Sequence, residues 1–107
     1  MRPAHLPQTS RFLPDKFRPA LIYGSPRVRA FLLCLEPGQG LPPRPDSEEL
    51  LCFVIQGRGA LTIGRECFPV SPGDFAAAAP GERRGIQAQE RLVALWVHLS
   101  AQEPGNA

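Results

Sequence analysis

At 107 residues, with 43% hydrophobic and 21% charged side chains, the chain has the size and composition of one folded domain around one core, with little room for a second. Thirteen prolines and ten glycines exclude long helices, because each proline removes a donor and each glycine loosens a helix interior. A net charge of +2 is too small to imply nucleic acid, and the longest apolar run, Leu92–Val97, is far too short to span a membrane.

Residues 1–20 hold prolines at positions 3, 7, 14 and 19 among polar residues and predict an extended arm without regular helix. Six basic groups (Arg2, Arg11, Lys16, Arg18, Arg27, Arg29) stand against Asp15 alone in the first 29 residues. From Ala30 onward nine acids face six arginines, so the basic arm is expected to lie on a mildly acidic body rather than on nucleic acid or membrane. No apolar stretch in the first twenty residues has the length of a signal peptide. Three cysteines without paired spacing fit a reducing compartment, so a cytoplasmic location is expected.

After the arm, short apolar runs alternate with turn signals. Leu21–Tyr23 precedes "GSP", Val28–Leu35 precedes "EPGQG", Leu50–Ile55 precedes "QGRG" and Ala60–Ile63 precedes "GRE". Cys67–Val70, Phe75–Ala79 and Leu92–Leu99 follow in the same manner. Runs of this length and spacing predict an all-β sandwich or barrel. In "LLCFVI" and "LVALWVHL" both alternate sets of side chains are apolar, His98 excepted. A barrel strand needs only one apolar face, so the outside is expected to be covered by the arm or by a second subunit, and a homodimer is expected.

Two turn scaffolds stand in order. Pro37-Gly38 opens the first and Gly57-Arg58-Gly59 closes it as a hairpin; Pro72-Gly73-Asp74 opens the second, with Pro80-Gly81 at a later turn. Over roughly Val28–Leu99 this pattern resembles the cupins, small double-stranded β-helix (jelly-roll) barrels. The expected organisation is an arm over 1–20, a barrel over 21–100 and a tail over 101–107. The resemblance places Arg44, Asp46, Leu50 and Arg84 where the family carries its three histidines and glutamate. Guanidinium repels a cation and leucine has no lone pair, so the family's site for Fe, Mn, Ni or Zn is expected to be lost, with no cofactor in its place. A one-residue slip bringing Glu49 to the place of Leu50 would reverse every side chain of the strand and still supply no histidine.

Other groups are weighed against plain structural roles. Cys34, Cys52 and Cys67 lack the close pairing of zinc ligands and are expected in the core. His5 is expected to be solvated, Glu48-Glu49 to form a solvated turn, and Gly57-Arg58-Gly59 to be a hairpin rather than a phosphate loop, since no helix follows. The small side chains of Ala76–Ala79 would leave space inside a barrel. His98, in phase with Trp96, is a candidate cavity residue and a weak candidate catalytic acid–base.

The expected function is binding or sensing of a small, anionic molecule, without metal, by Arg44, Asp46, Arg84 and His98, with Arg84 paired to Asp46. The resemblance adds that arabinose-regulator-type transcription factors use cupin-like sensor domains without metal, although this chain lacks their helix-turn-helix portion. The alternative is a metal-independent isomerase or lyase acting on a polar metabolite, with His98 as acid–base and Arg84 holding an anionic group; an inward His98 near Arg84 favours it. A third reading is a dimer module whose cavity is filled by its own side chains.

Overall fold

The computed structural model describes residues 1–100, the side chains at positions 8 and 9 excepted; the 101–107 tail lies outside the described residues. One turn of helix, α1 (Leu6–Thr9), is followed by β1 (Ala20–Gly24), β2 (Val28–Leu35), β3 (Gly40–Arg44), β4 (Glu49–Gln56) and β5 (Gly59–Ile63). β6 (Glu66–Val70), β7 (Phe75–Ala78), β8 (Arg84–Ala88) and β9 (Leu92–Leu99) complete the chain. They form two sheets, in the orders β1-β2-β9-β4-β7 and β3-β8-β5-β6, with every pair antiparallel. This is the all-β architecture expected from the runs and turns, and the double-stranded β-helix that the resemblance implies.

Two strands escaped the sequence reading. β3 reads "GLPPR", and its prolines are tolerated because it lies at the edge of its sheet. β8 reads "RGIQA", which is too short and too polar to register as an apolar run. The arm also departs from the expectation of no helix. Pro7 stands in the first turn of α1, where its fixed φ suits a helix and its missing donor costs nothing.

The sheets enclose one core. Leu33, Leu35, Leu50, Cys52, Leu61 and Leu92 are at most 1% exposed, with Ile86 and Trp96 beside them. A second cluster lies on the opposite face of the five-stranded sheet, where Leu32, Cys34 and Val93 are covered by Leu6 and Phe12 of the arm together with Ile22 and Ile55. Apolar burial therefore fixes the arm, helped by a bond from Gln39 Nε2 to the Leu13 carbonyl and by the Arg91 guanidinium 4.8 Å from the Phe12 ring centre. The doubly apolar strands are thus partly explained by the arm. Farther along the same outer face Phe53 and Phe75 remain 39% and 55% exposed, their rings 4.8 Å apart.

The cysteines do not share one fate. Cys34 and Cys52 are buried, as expected, and burial pushes the Cys52 thiol up to about 12. Cys67 is exposed, because its position on β6, opposite Thr62, turns it to the outer side of the small sheet. Among the described residues no helix is long and apolar enough to cross a membrane.

Candidate functional site

Arg44, Asp46, Arg84 and His98 all line one cavity of about 280 Å³ inside the barrel. The register explains the convergence. On β2 and β9, Arg29 lies opposite His98, Phe31 opposite Trp96 and Leu33 opposite Ala94. On β3 and β8, Arg44 lies opposite Arg84 and Leu41 opposite Ile86. Both strand pairs therefore run from a charged row to an aromatic or aliphatic one, so the cavity has a charged end and an apolar end.

Arg84 is 5% exposed and is the one buried charged residue among those described. Its head group is held by carbonyl oxygens. Nε donates to Glu82 (2.7 Å), and Nη2 donates to Glu48 (2.9 Å), Ala79 (2.9 Å) and Asp46 (3.4 Å). The 46–48 loop and the 79–82 turn thus converge on one guanidinium, and Gly81 N donates to the Asp46 carbonyl to join them directly (2.6 Å). The expected side-chain pair of Arg84 with Asp46 is not formed. The Asp46 carboxylate instead accepts the Glu48 amide of its own loop (2.9 Å), a turn that aspartate commonly makes. Arg84 Nη1 is buried without an acceptor.

His98 points inward. Its Nδ1 lies 3.3 Å from Glu48 Oε1, without hydrogen-bond geometry, and its ring meets Phe31 edge-on at 5.8 Å. Burial holds its pKa below the ordinary histidine value; Glu48 and Asp46 oppose the shift, while Arg29 and Arg84 reinforce it. The net shift favours the neutral imidazole.

Glu48 was expected in a solvated turn, and the structure corrects this. Its side chain is 20% exposed and forms an ion pair with Arg29, another cavity-lining group that the sequence reading left out. Positions 44, 46 and 48 share one parity, and so do 29, 31 and 33; strand phase was the signal that could have found both. Glu49, by contrast, is exposed at the start of β4, and Leu50 is fully buried in the core, so the register is not slipped.

Asp46, Glu48 and His98 are the described groups with metal-ligand atoms close together, within 4.8 Å of one another. They do not fit a divalent cation. Glu48 is already neutralised by Arg29, an Asp46 oxygen is held by an amide, and Arg44 and Arg84 share the cavity. No metal chemistry is assigned to this trio.

A family model described as "Cupin domain" matches residues 31–98. The chain belongs to the cupin family. Solved cupin-like structures overlay most of it. TT1209 from Thermus thermophilus is 22% identical, with a TM-score of 0.87 over 92% of this chain and 97% of that one. A protein of unknown function from Streptococcus pyogenes, SPY1581, is 17% identical, with a TM-score of 0.84 over 95% and 90%. An RmlC-like cupin protein from Desulfovibrio desulfuricans is 22% identical, with a TM-score of 0.83 over 92% and 96%. At these identities the likeness establishes the fold. No curated protein matches the chain by sequence.

Proposed function

We propose that this cupin binds a small anionic molecule in its barrel cavity, without metal, as a binding or sensing domain. One observation carries the reading: three guanidinium groups line or adjoin two carboxylates, and Arg44 has neither a hydrogen bond nor an ion pair among the described residues. A ligand carboxylate would neutralise this surplus through charge-assisted bonds of roughly 1.5–3 kcal/mol each. A carboxylate at about 100 times its dissociation constant is then expected to add roughly 2.7 kcal/mol and to raise the melting temperature by on the order of 10 °C. Thermal shift in the presence of a chelator checks this, with Arg44→Gln expected to lose the response. Equal stabilisation by neutral sugars, or a response that the chelator abolishes, counts against the reading.

The isomerase or lyase alternative has one observation in its favour, an inward His98 sharing the cavity with Arg84 and backed by Glu48. Its neutral imidazole could take a proton from a bound acid. The ion pair between Glu48 and Arg29 weakens that support. Conversion of a bound acid that disappears in His98→Asn, while binding persists, is the result that would install the enzyme reading.

The exposed apolar face is proposed as the contact with a second copy of the chain. Phe53 and Phe75 lie on β4 and β7, beside the outward Leu51, Leu95 and Val97, and none of these outward positions is charged. Such a face offers nothing to a charged partner. It is on the order of 400 Å² in plan. Allowing for side-chain relief, two copies joined across a two-fold axis bury on the order of 1,000 Å², the threshold of a specific interface. Light scattering is expected to give a dimer at micromolar concentration and a monomer for the Phe53→Lys/Phe75→Lys double variant. A reducing, cytoplasmic setting is proposed as well, since Cys67 is a free thiol at an exposed position.

A further inference from the structure

We infer that the ligand is a monocarboxylate bearing one compact apolar group, of the size of an aromatic ring. This rests on the anion-binding reading and adds the nature of the rest of the molecule. The charged row has limited capacity. Arg29 is paired with Glu48, and Arg84 has its Nε and Nη2 committed to four carbonyls. That leaves the Arg44 guanidinium, one planar fork and so a complement for one carboxylate rather than two or three.

The opposite row sets the other half. Phe31, Leu33, Leu41 and Trp96 line the same cavity, and the Trp96 indole N–H is the one polar group they carry. A polyol or sugar pushed against this wall would lose hydrogen bonds to water that these side chains cannot replace. An apolar group loses none, and the faces of Phe31 and Trp96 favour a flat ring. The volume bounds the size: about 280 Å³ accommodates on the order of ten non-hydrogen atoms at interior packing density. Benzoate has this form, so it is the probe.

The test is calorimetric titration of the full chain with benzoate, acetate, succinate and benzyl alcohol at constant ionic strength. Benzoate is expected to bind on the order of tenfold to a hundredfold more tightly than acetate, the increment from burying a ring. It should also exceed succinate, and benzyl alcohol should not bind measurably. Leu41→Gln, at a half-buried position, is expected to weaken benzoate without weakening acetate. Acetate or succinate equal to benzoate overturns the apolar half and leaves anion binding standing. Benzyl alcohol equal to benzoate overturns the anion reading itself, and no heat from any of the four overturns both. If Leu41→Gln fails to fold, the ligand series on the unaltered chain still decides.

Discussion

Gly57→Ala is expected to destabilise the barrel by about 3 kcal/mol or more, lowering the melting temperature by on the order of 15 °C. Gly57 has φ +84° in the hairpin between β4 and β5, a left-handed conformation that L side chains adopt at a cost. A Cβ there would also overlap the Arg91 carbonyl oxygen and sit 2.7 Å from both the Arg91 carbonyl carbon and Leu92 Cα. Those are backbone atoms at the entry to β9, the strand shared by β2 and β4, and they cannot swing aside. Gly73→Ala is the matched comparison. Its φ is +95° but a Cβ would meet nothing within 4 Å, so only the conformational cost of about 1 kcal/mol is expected. Thermal unfolding of the two variants checks the difference. Equal losses would mean that the steric account of position 57 is wrong.

Arg84→Met is the second large effect, expected at about 3–5 kcal/mol in thermal or urea unfolding. Methionine roughly fills the apolar volume of the stem but takes the Arg84 donor from the carbonyls of Glu82 and Glu48, and one of two donors from Ala79, whose carbonyl still accepts from the Glu82 amide. A buried acceptor stripped of its partner costs about 1–3 kcal/mol. The whole cost does not reach the sum, because the 46–48 loop and the 79–82 turn can part and admit water. Arg84→Lys is expected to recover only a fraction, since an ammonium cannot reproduce the planar fork that serves two loop segments at once. The Arg44→Gln variant, altered at an exposed position, should unfold like the parent. The contrast separates the arginine that holds the cavity wall from the one available to a ligand. If Arg84→Met unfolds like the parent, the clamp is not what holds the two turns.

Much of this molecule was legible in the sequence because its turns are marked. Pro-Gly pairs and the Gly57-Arg58-Gly59 hairpin impose backbone conformations that few other residues reach, so the fold could be read with no ligand residue in place. Strands β3 and β8 were hidden for the opposite reason. An edge strand with two prolines and a short strand carrying Arg84 and Gln87 follow neither a period-2 pattern nor a propensity; tertiary pairing makes them strands. At the site, the cupin motif positions pointed to Arg44, Asp46 and Arg84, and strand phase with Trp96 pointed to His98. The bonding among them was not legible. Whether Arg84 meets a carboxylate or a set of carbonyls depends on how the 46–48 loop curls, and Asp46 settles that by capping its own turn. Glu48 was misplaced by the same loop, whose curl turns it toward Arg29 and His98 instead of water.

The prolines that disguised β3 also determine how copies of this protein can meet. An open sheet edge is a template on which another chain can add a strand, the usual route to uncontrolled aggregation. Here the outer strand of the small sheet carries Pro42 and Pro43 on one side, and β6 carries Pro69 on the other. In the large sheet, β1 sits between Pro19 and Pro26, and β7 is a four-residue strand between Pro72 and Pro80. All four borders are interrupted or clipped, so strand addition is obstructed at each. Self-association through the apolar face around Phe53 and Phe75, as proposed above, would instead close at two copies rather than grow into a fibre.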